Sequence, residues 1–184
     1  MLLKKLINLC KKEYRIELVT VGDTVFLGDG NVYGAFESGD TLTADEIMCF
    51  MELTDDQREA MQRYDKTSDK PIISEDLGRG RYSLNCDGLP LQVFVSKQGV
   101  VFADSGYIQI FKDCPQKRYA LGTFEGRIMI IVLRDTAVIG MIDPQRVDLE
   151  TMCAFCEGLA AQVRLARDND FLCGGMHQYS LTDE

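Results

Sequence analysis

The sequence predicts an α+β fold built mainly on antiparallel sheet. Three observations carry that reading. Residues 2–13 repeat apolar side chains at helical spacing, with lysines between them. From Tyr14 onward, short alternating or wholly apolar runs recur, separated by Gly-, Asn- and Asp-containing turns. Two helix-start signatures, Thr43 to Glu46 and Thr54 to Gln57, interrupt the strands.

The elements follow in order. Leu2, Leu3, Leu6, Leu9 and Cys10 form the apolar side of an N-terminal amphipathic helix. Tyr14, Ile16 and Leu18 alternate with Arg15 and Glu17, which is a strand signature. Val25 to Leu27 and Val32 to Phe36 continue as strands around Gly28-Asp29-Gly30-Asn31, residues that tolerate the positive φ of a tight turn. Two capped helices come next, the first with Ile47, Met48, Phe50 and Met51 on its apolar side, the second with Ala60, Met61 and Tyr64. Asp65 to Lys70 is polar and ends at Pro71, so residues 65–80 read as a mobile loop.

The second half is richer in sheet. Strands are expected at Arg81–Leu84, Leu91–Ser96, Val100–Ala103, Tyr107–Phe111, Tyr119–Phe124, Arg127–Leu133 and Ala137–Ile142. Ile128 to Leu133 is apolar at every position, as a strand covered on both faces requires. A C-terminal helix is expected from about Leu149 to Arg167, with Met152, Phe155, Cys156, Leu159 and Val163 as its buried stripe. Residues 1–168 therefore form a single α+β domain and 169–184 a loosely ordered tail, a division that suits 184 residues.

Composition narrows the function classes. A net charge of −9 disfavours a generic coat for nucleic acid, although a local basic face remains compatible with it. Seven scattered cysteines, an odd number, suit reduced thiols in a cytoplasmic protein better than a disulfide framework. The apolar run Leu6 to Cys10 is too short for an export signal, and no segment reaches the roughly 18 apolar residues of a membrane span.

No motif assigns a catalytic centre, and the pattern calls for no cofactor or small molecule. Gly28-x-Gly30 lacks the third glycine and the following helix of a nucleotide loop, so it reads as a hairpin turn. Asp45-Glu46 and Asp55-Asp56 sit in first helical turns, where they complement the helix dipole. Cys153, Cys156, Cys173 and His177 have zinc-type spacing on paper. The first two fall inside a helical stripe without the turn residues of a metal knuckle, which favours packing over ligation. His177 is the single histidine, and any Ser-His or Cys-His mechanism would depend on it. The basic residues are segregated. Lys4, Lys5, Lys11 and Lys12 lie on the first helix, Arg58 and Arg63 on the third helical segment, Arg79 and Arg81 beside the expected loop, and Arg164 and Arg167 at the end of the last helix. Lys4, Lys5, Lys11, Lys12, Arg58 and Arg63 are the candidate contacts to nucleic acid or to a partner, against the plainer reading of a solvated face.

The order of a basic amphipathic helix, a Tyr14-to-Phe36 meander with Gly28-Asp29-Gly30, capped helices and a closing Arg127-to-Pro144 sheet resembles uncharacterised proteins of Firmicute prophages and conjugative elements. Their element order is similar to that of a DNA sliding-clamp domain. The resemblance implies sheet outside and helices turned toward DNA, with Lys4, Lys5, Lys11 and Lys12 in that role. The chain departs from clamps in showing no duplicated unit. The resulting expectation is a non-enzymatic interaction module of a mobile element, binding a protein partner or DNA, with a homodimer left open. Two other readings stand beside it. One is a hydrolase or metal enzyme using Asp and Glu residues or the late Cys/His set, and the other a membrane-surface protein docking by its first helix.

Overall fold

The structure is a computed structural model that describes residues 2–36, 42–86, 88–97, 99–148, 150, 152–154, 156, 157 and 161. The chain divides into two units, Met1–Gln145 and Arg146–Glu184. The fold is α+β with a mainly antiparallel sheet, as the sequence predicts.

The first unit opens with α1 (Leu2–Glu13), then the meander β1 (Arg15–Val21), β2 (Thr24–Gly28) and β3 (Val32–Phe36). Tyr14 takes a φ of +50° between α1 and β1, ending the helix in the left-handed region. Helices α2 (Ala44–Cys49) and α3 (Asp55–Ala60) both start in a complete capping box, on Thr43 with Glu46 and on Thr54 with Gln57. Then come β4 (Gln62–Thr67), β5 (Ile72–Cys86), β6 (Leu89–Val95), β7 (Val100–Asp104), α4 (Ser105–Ile110), β8 (Lys117–Phe124), β9 (Arg127–Arg134) and β10 (Ala137–Ile142).

Ten strands form one sheet in the order β4-β1-β2-β3-β10-β9-β8-β5-β6-β7. Every pairing is antiparallel except β1 with β4, and the chain between those two runs through β2, β3, α2 and α3. Beyond β10, Gln145 bridges to Phe102 of β7, so the far edge of the sheet returns toward the chain leaving its middle. Helix α1 packs on β1, β2 and β3 and touches α4, which packs on β6 and β7.

Successive strand side chains point to opposite faces, and each face has its own apolar cluster. Leu6, Cys10, Ile16, Leu27, Phe111, Ile130 and Val132 share the helix side. Val19, Phe26, Tyr33, Met129, Ile131, Leu133 and Met141 share the other. Residues Met129 to Leu133 of β9 are all fully buried because both clusters draw on them. Gly34 lets α1 approach β3, since a Cβ there would stand 2.6 Å from Leu6 Cδ1.

Several expectations need correction. The second capped helix stops at Ala60, and Met61 turns extended and buried. Tyr64 therefore belongs to strand β4. Residues 65–80 lie largely in β4 and β5 rather than in a loop, because pairing with β1 and β8 organises polar residues that carry little strand signal themselves. Tyr107–Phe111 is not a strand. Asp104 Oδ1 accepts the Gly106 N–H at 2.7 Å and starts α4, which buries Ile108 and Ile110.

In the second unit, the Met152 N–H donates to the Asp148 carbonyl at 3.1 Å, as a helical turn does. Cys153 and Cys156 are exposed there, contrary to the expected buried place of Cys156 in a stripe. Phe155, Leu159, Val163 and the tail lie outside the described residues.

Candidate functional site: a cationic face around a buried carboxylate

β1 places Arg15 and Glu17 on one face of the sheet, and the parallel register puts Tyr64 and Lys66 of β4 beside them. Glu17 has no exposure to solvent. Its Oε1 accepts from Arg15, through Nε at 2.9 Å and also through Nη2. Its Oε2 accepts from the Tyr33 hydroxyl at 2.6 Å and from Lys66 Nζ at 3.2 Å. Burial alone raises a carboxyl's pKa. Here the hydrogen bonds from Tyr33, Arg15 and Lys66 outweigh it and hold Glu17 below the usual carboxylate range. Burial and the Glu17 contact push the Tyr33 phenol up, so it stays a donor.

Arg127 of β9 completes the face. Its Nη2 reaches the Tyr33 hydroxyl at 3.4 Å, and its Nη1 donates to the Gly30 carbonyl at 3.2 Å. Arg15 lies on the same glycine, since a Cβ at Gly30 would stand 3.0 Å from the guanidinium carbon, and its φ of +98° also favours glycine. Arg15 stacks 5.0 Å from the centre of the Tyr64 ring. Arg15 and Lys66 thus grip one carboxylate and Arg127 joins them through the Tyr33 hydroxyl, a local excess of positive charge on a chain of net −9.

The Gly28-Asp29-Gly30-Asn31 turn has a second side. Asp29 Oδ1 accepts the Asn31 and Val32 N–H groups at 2.9 Å each, while Oδ2 is buried without a partner among the described residues. Burial pushes the Asp29 carboxyl up against those bonds. Cys10 donates its thiol to the Gly28 carbonyl, and burial beside Asp29 pushes it up to about 12, so it stays a protonated donor. Every oxygen of Glu17 is occupied, which suits a clamp on the cations rather than a proton-transfer base.

The residues singled out from sequence are divided among neighbours. Lys5 Nζ donates to the Gln109 and Ile110 carbonyls at 3.3 Å each and pairs with Asp113 at 2.6 Å, tying α1 to the end of α4. That contact holds Asp113 below its ordinary range. Lys12 pairs with Glu13 at 3.0 Å and Arg63 with Asp45 at 2.7 Å. Lys4 and Arg58 are exposed and Lys11 half-buried. Among the described residues no three His, Cys, Asp or Glu groups gather to hold a metal ion. Cys173, His177, Arg164 and Arg167 lie outside them, and the side chain of Arg81 is not described. Among the described residues no helix is long and apolar enough to cross a membrane.

Fold and site together define an open-sheet α+β protein with a preorganised cationic face. Compared with known proteins, the chain matches no family model, no curated protein and no solved structure.

Proposed function

We propose that the chain is a non-enzymatic interaction module that engages an anionic surface, on DNA or on an acidic protein partner, through Arg15, Lys66 and Arg127. The observation that supports this is the buried Glu17, which holds Arg15 and Lys66 in place while leaving both side chains more than a third exposed. Preorganised cations lose little freedom on binding. Their excess over one carboxylate offers a local attraction on a chain whose net charge is −9. The element order that resembles a clamp domain of mobile elements makes duplex DNA the first partner to try. Helix α1 is a weaker candidate, because Lys5 and Lys12 already pair with carboxylates.

The test is a titration of the full chain with duplex DNA and, separately, with an acidic polypeptide, across a range of salt. Three phosphate contacts predict roughly a 20-fold loss of affinity for a threefold rise in salt, from a slope of about −0.9 per contact. Arg127→Ala should weaken binding and flatten that slope. A chain that binds neither probe at low salt, or binds with no response to salt, is not this module. A response to the polypeptide alone assigns the face to protein.

A further inference from the structure

Another cationic feature is built from other residues. An open depression of about 430 Å³ is lined by Leu77 and Arg79 of β5, Lys117 and Tyr119 of β8, and Cys114 of the segment before β8. Small-ligand sites span roughly 300–1,000 Å³. Leu77 and Tyr119 are cross-strand partners, and the Tyr119 ring rests on Phe94 at 4.9 Å between centroids.

Tyr119 is 5 % exposed, and its hydroxyl is covered without a hydrogen-bond partner among the described residues. A buried hydroxyl in that state is costly and uncommon. Burial pushes the phenol up, and the positive charge of Arg79, which lines the depression too, works against that rise.

Two of the cations lining the depression meet only neutral acceptors among the described residues. Arg79 directs Nε and Nη2 to Gln92 Oε1 at 3.1 and 3.0 Å. Lys117 Nζ donates to the Lys112 and Cys114 carbonyls at 3.1 and 3.2 Å. Arg118, also lining the depression, is paired with Asp76. Two positive charges therefore stand without a carboxylate beside a hydroxyl that lacks an acceptor.

We propose that this depression binds a small organic molecule carrying a phosphate group, with Arg79 and Lys117 compensating its charge and the Tyr119 hydroxyl donating to a phosphate oxygen. A dianion matches two cations where a carboxylate matches one. Its tetrahedral oxygens accept donors that do not share a plane. Leu77 offers the organic part an apolar wall.

Calorimetric titration of the full chain with phenyl phosphate, inorganic phosphate and benzoate, at one fixed ionic strength, tests this. Phenyl phosphate should bind saturably and more tightly than the other two. Tyr119→Phe, which keeps the ring on Phe94, should weaken it about tenfold or more, the worth of a hydrogen bond to a charged group. Arg79→Gln should do likewise, and Arg127→Ala should leave it unchanged. The proposal is overturned by no saturation up to about 10 mM, by equal affinity in Tyr119→Phe, or by loss only in Arg127→Ala. That last result would assign phosphate to the Glu17 face. Preference for benzoate would replace phosphate by carboxylate and equally overturn it.

Discussion

A carboxylate closed off from water needs compensation from its neighbours, and Glu17 draws it from Arg15, Lys66 and Tyr33. Asp29, in the turn after β2, receives two backbone donors on one oxygen and, among the described residues, none on the other. The two groups therefore respond to pH in opposite senses. Glu17 is lowered from 4.5, so its contribution to stability is present above 4.5 and is lost as pH falls through the lowered folded value. Asp29 is raised from 3.8, so its contribution is present below 3.8 and is lost as pH rises through the raised folded value. Urea unfolding between about pH 3 and 7 checks both. Glu17→Gln should cost about 2 kcal/mol near neutrality, a figure discounted because both cations are partly exposed. It should also remove part of the acid-side loss. Asp29→Asn should raise stability near neutrality and little at low pH. A Glu17→Gln protein with the parent's stability at every pH would mean that the cations, not the carboxylate, set the geometry.

At the scale of elements, the two capping boxes have equal chemistry and unequal consequences. Helix α2 buries Ala44, Ile47 and Met48, and its first N–H is also held by Asp65 of β4 at 2.9 Å. Helix α3 buries no residue. Thr43→Ala should therefore lower global stability by about 1 kcal/mol, while Thr54→Ala frays α3 with only a few tenths lost. Urea midpoints of the two variants check the difference, and equal losses would show that α3 is coupled to the core. Both boxes were legible because a cap is a contact over three residues. The β8–β9 hairpin was legible only as the expected strands Tyr119–Phe124 and Arg127–Leu133, and the two residues between them, Glu125 and Gly126, both take positive φ in the structure. β4 was not legible, since Gln62 to Thr67 has no apolar alternation and becomes a strand through its partner β1. Tyr107 to Phe111 carries apolar residues at spacings that fit either period, and the Asp104 cap decides for helix.

For the whole molecule, the first unit, Met1–Gln145, contains all ten strands and both apolar clusters. A fragment ending at Gln145 should accordingly keep the sheet signal in circular dichroism and unfold in one cooperative transition. An unfolded or aggregated fragment would show that the following residues are needed for the fold. Gln145 is the natural limit because its N–H donates to the Phe102 carbonyl at 2.8 Å and holds the end of the segment to β7.

The sequence by itself determined the α+β class, the first helix, the meander, both caps and the doubly covered strand expected at Arg127–Leu133. All of these follow from periodicities and turn chemistry acting within a few residues. Only the tertiary structure decided that β4 lies parallel beside β1 and that β5 runs from Ile72 to Cys86. It alone drew Arg15, Glu17, Tyr33, Lys66 and Arg127 into one network and left the Tyr119 hydroxyl unpaired beside Arg79 and Lys117. Arg15 and Glu17 were visible as residues sharing one face of a strand, but the partners of Glu17 stand 16 and 49 positions away, at Tyr33 and Lys66. Burial and charge compensation depend on which distant segments pair, and no local pattern encodes that choice.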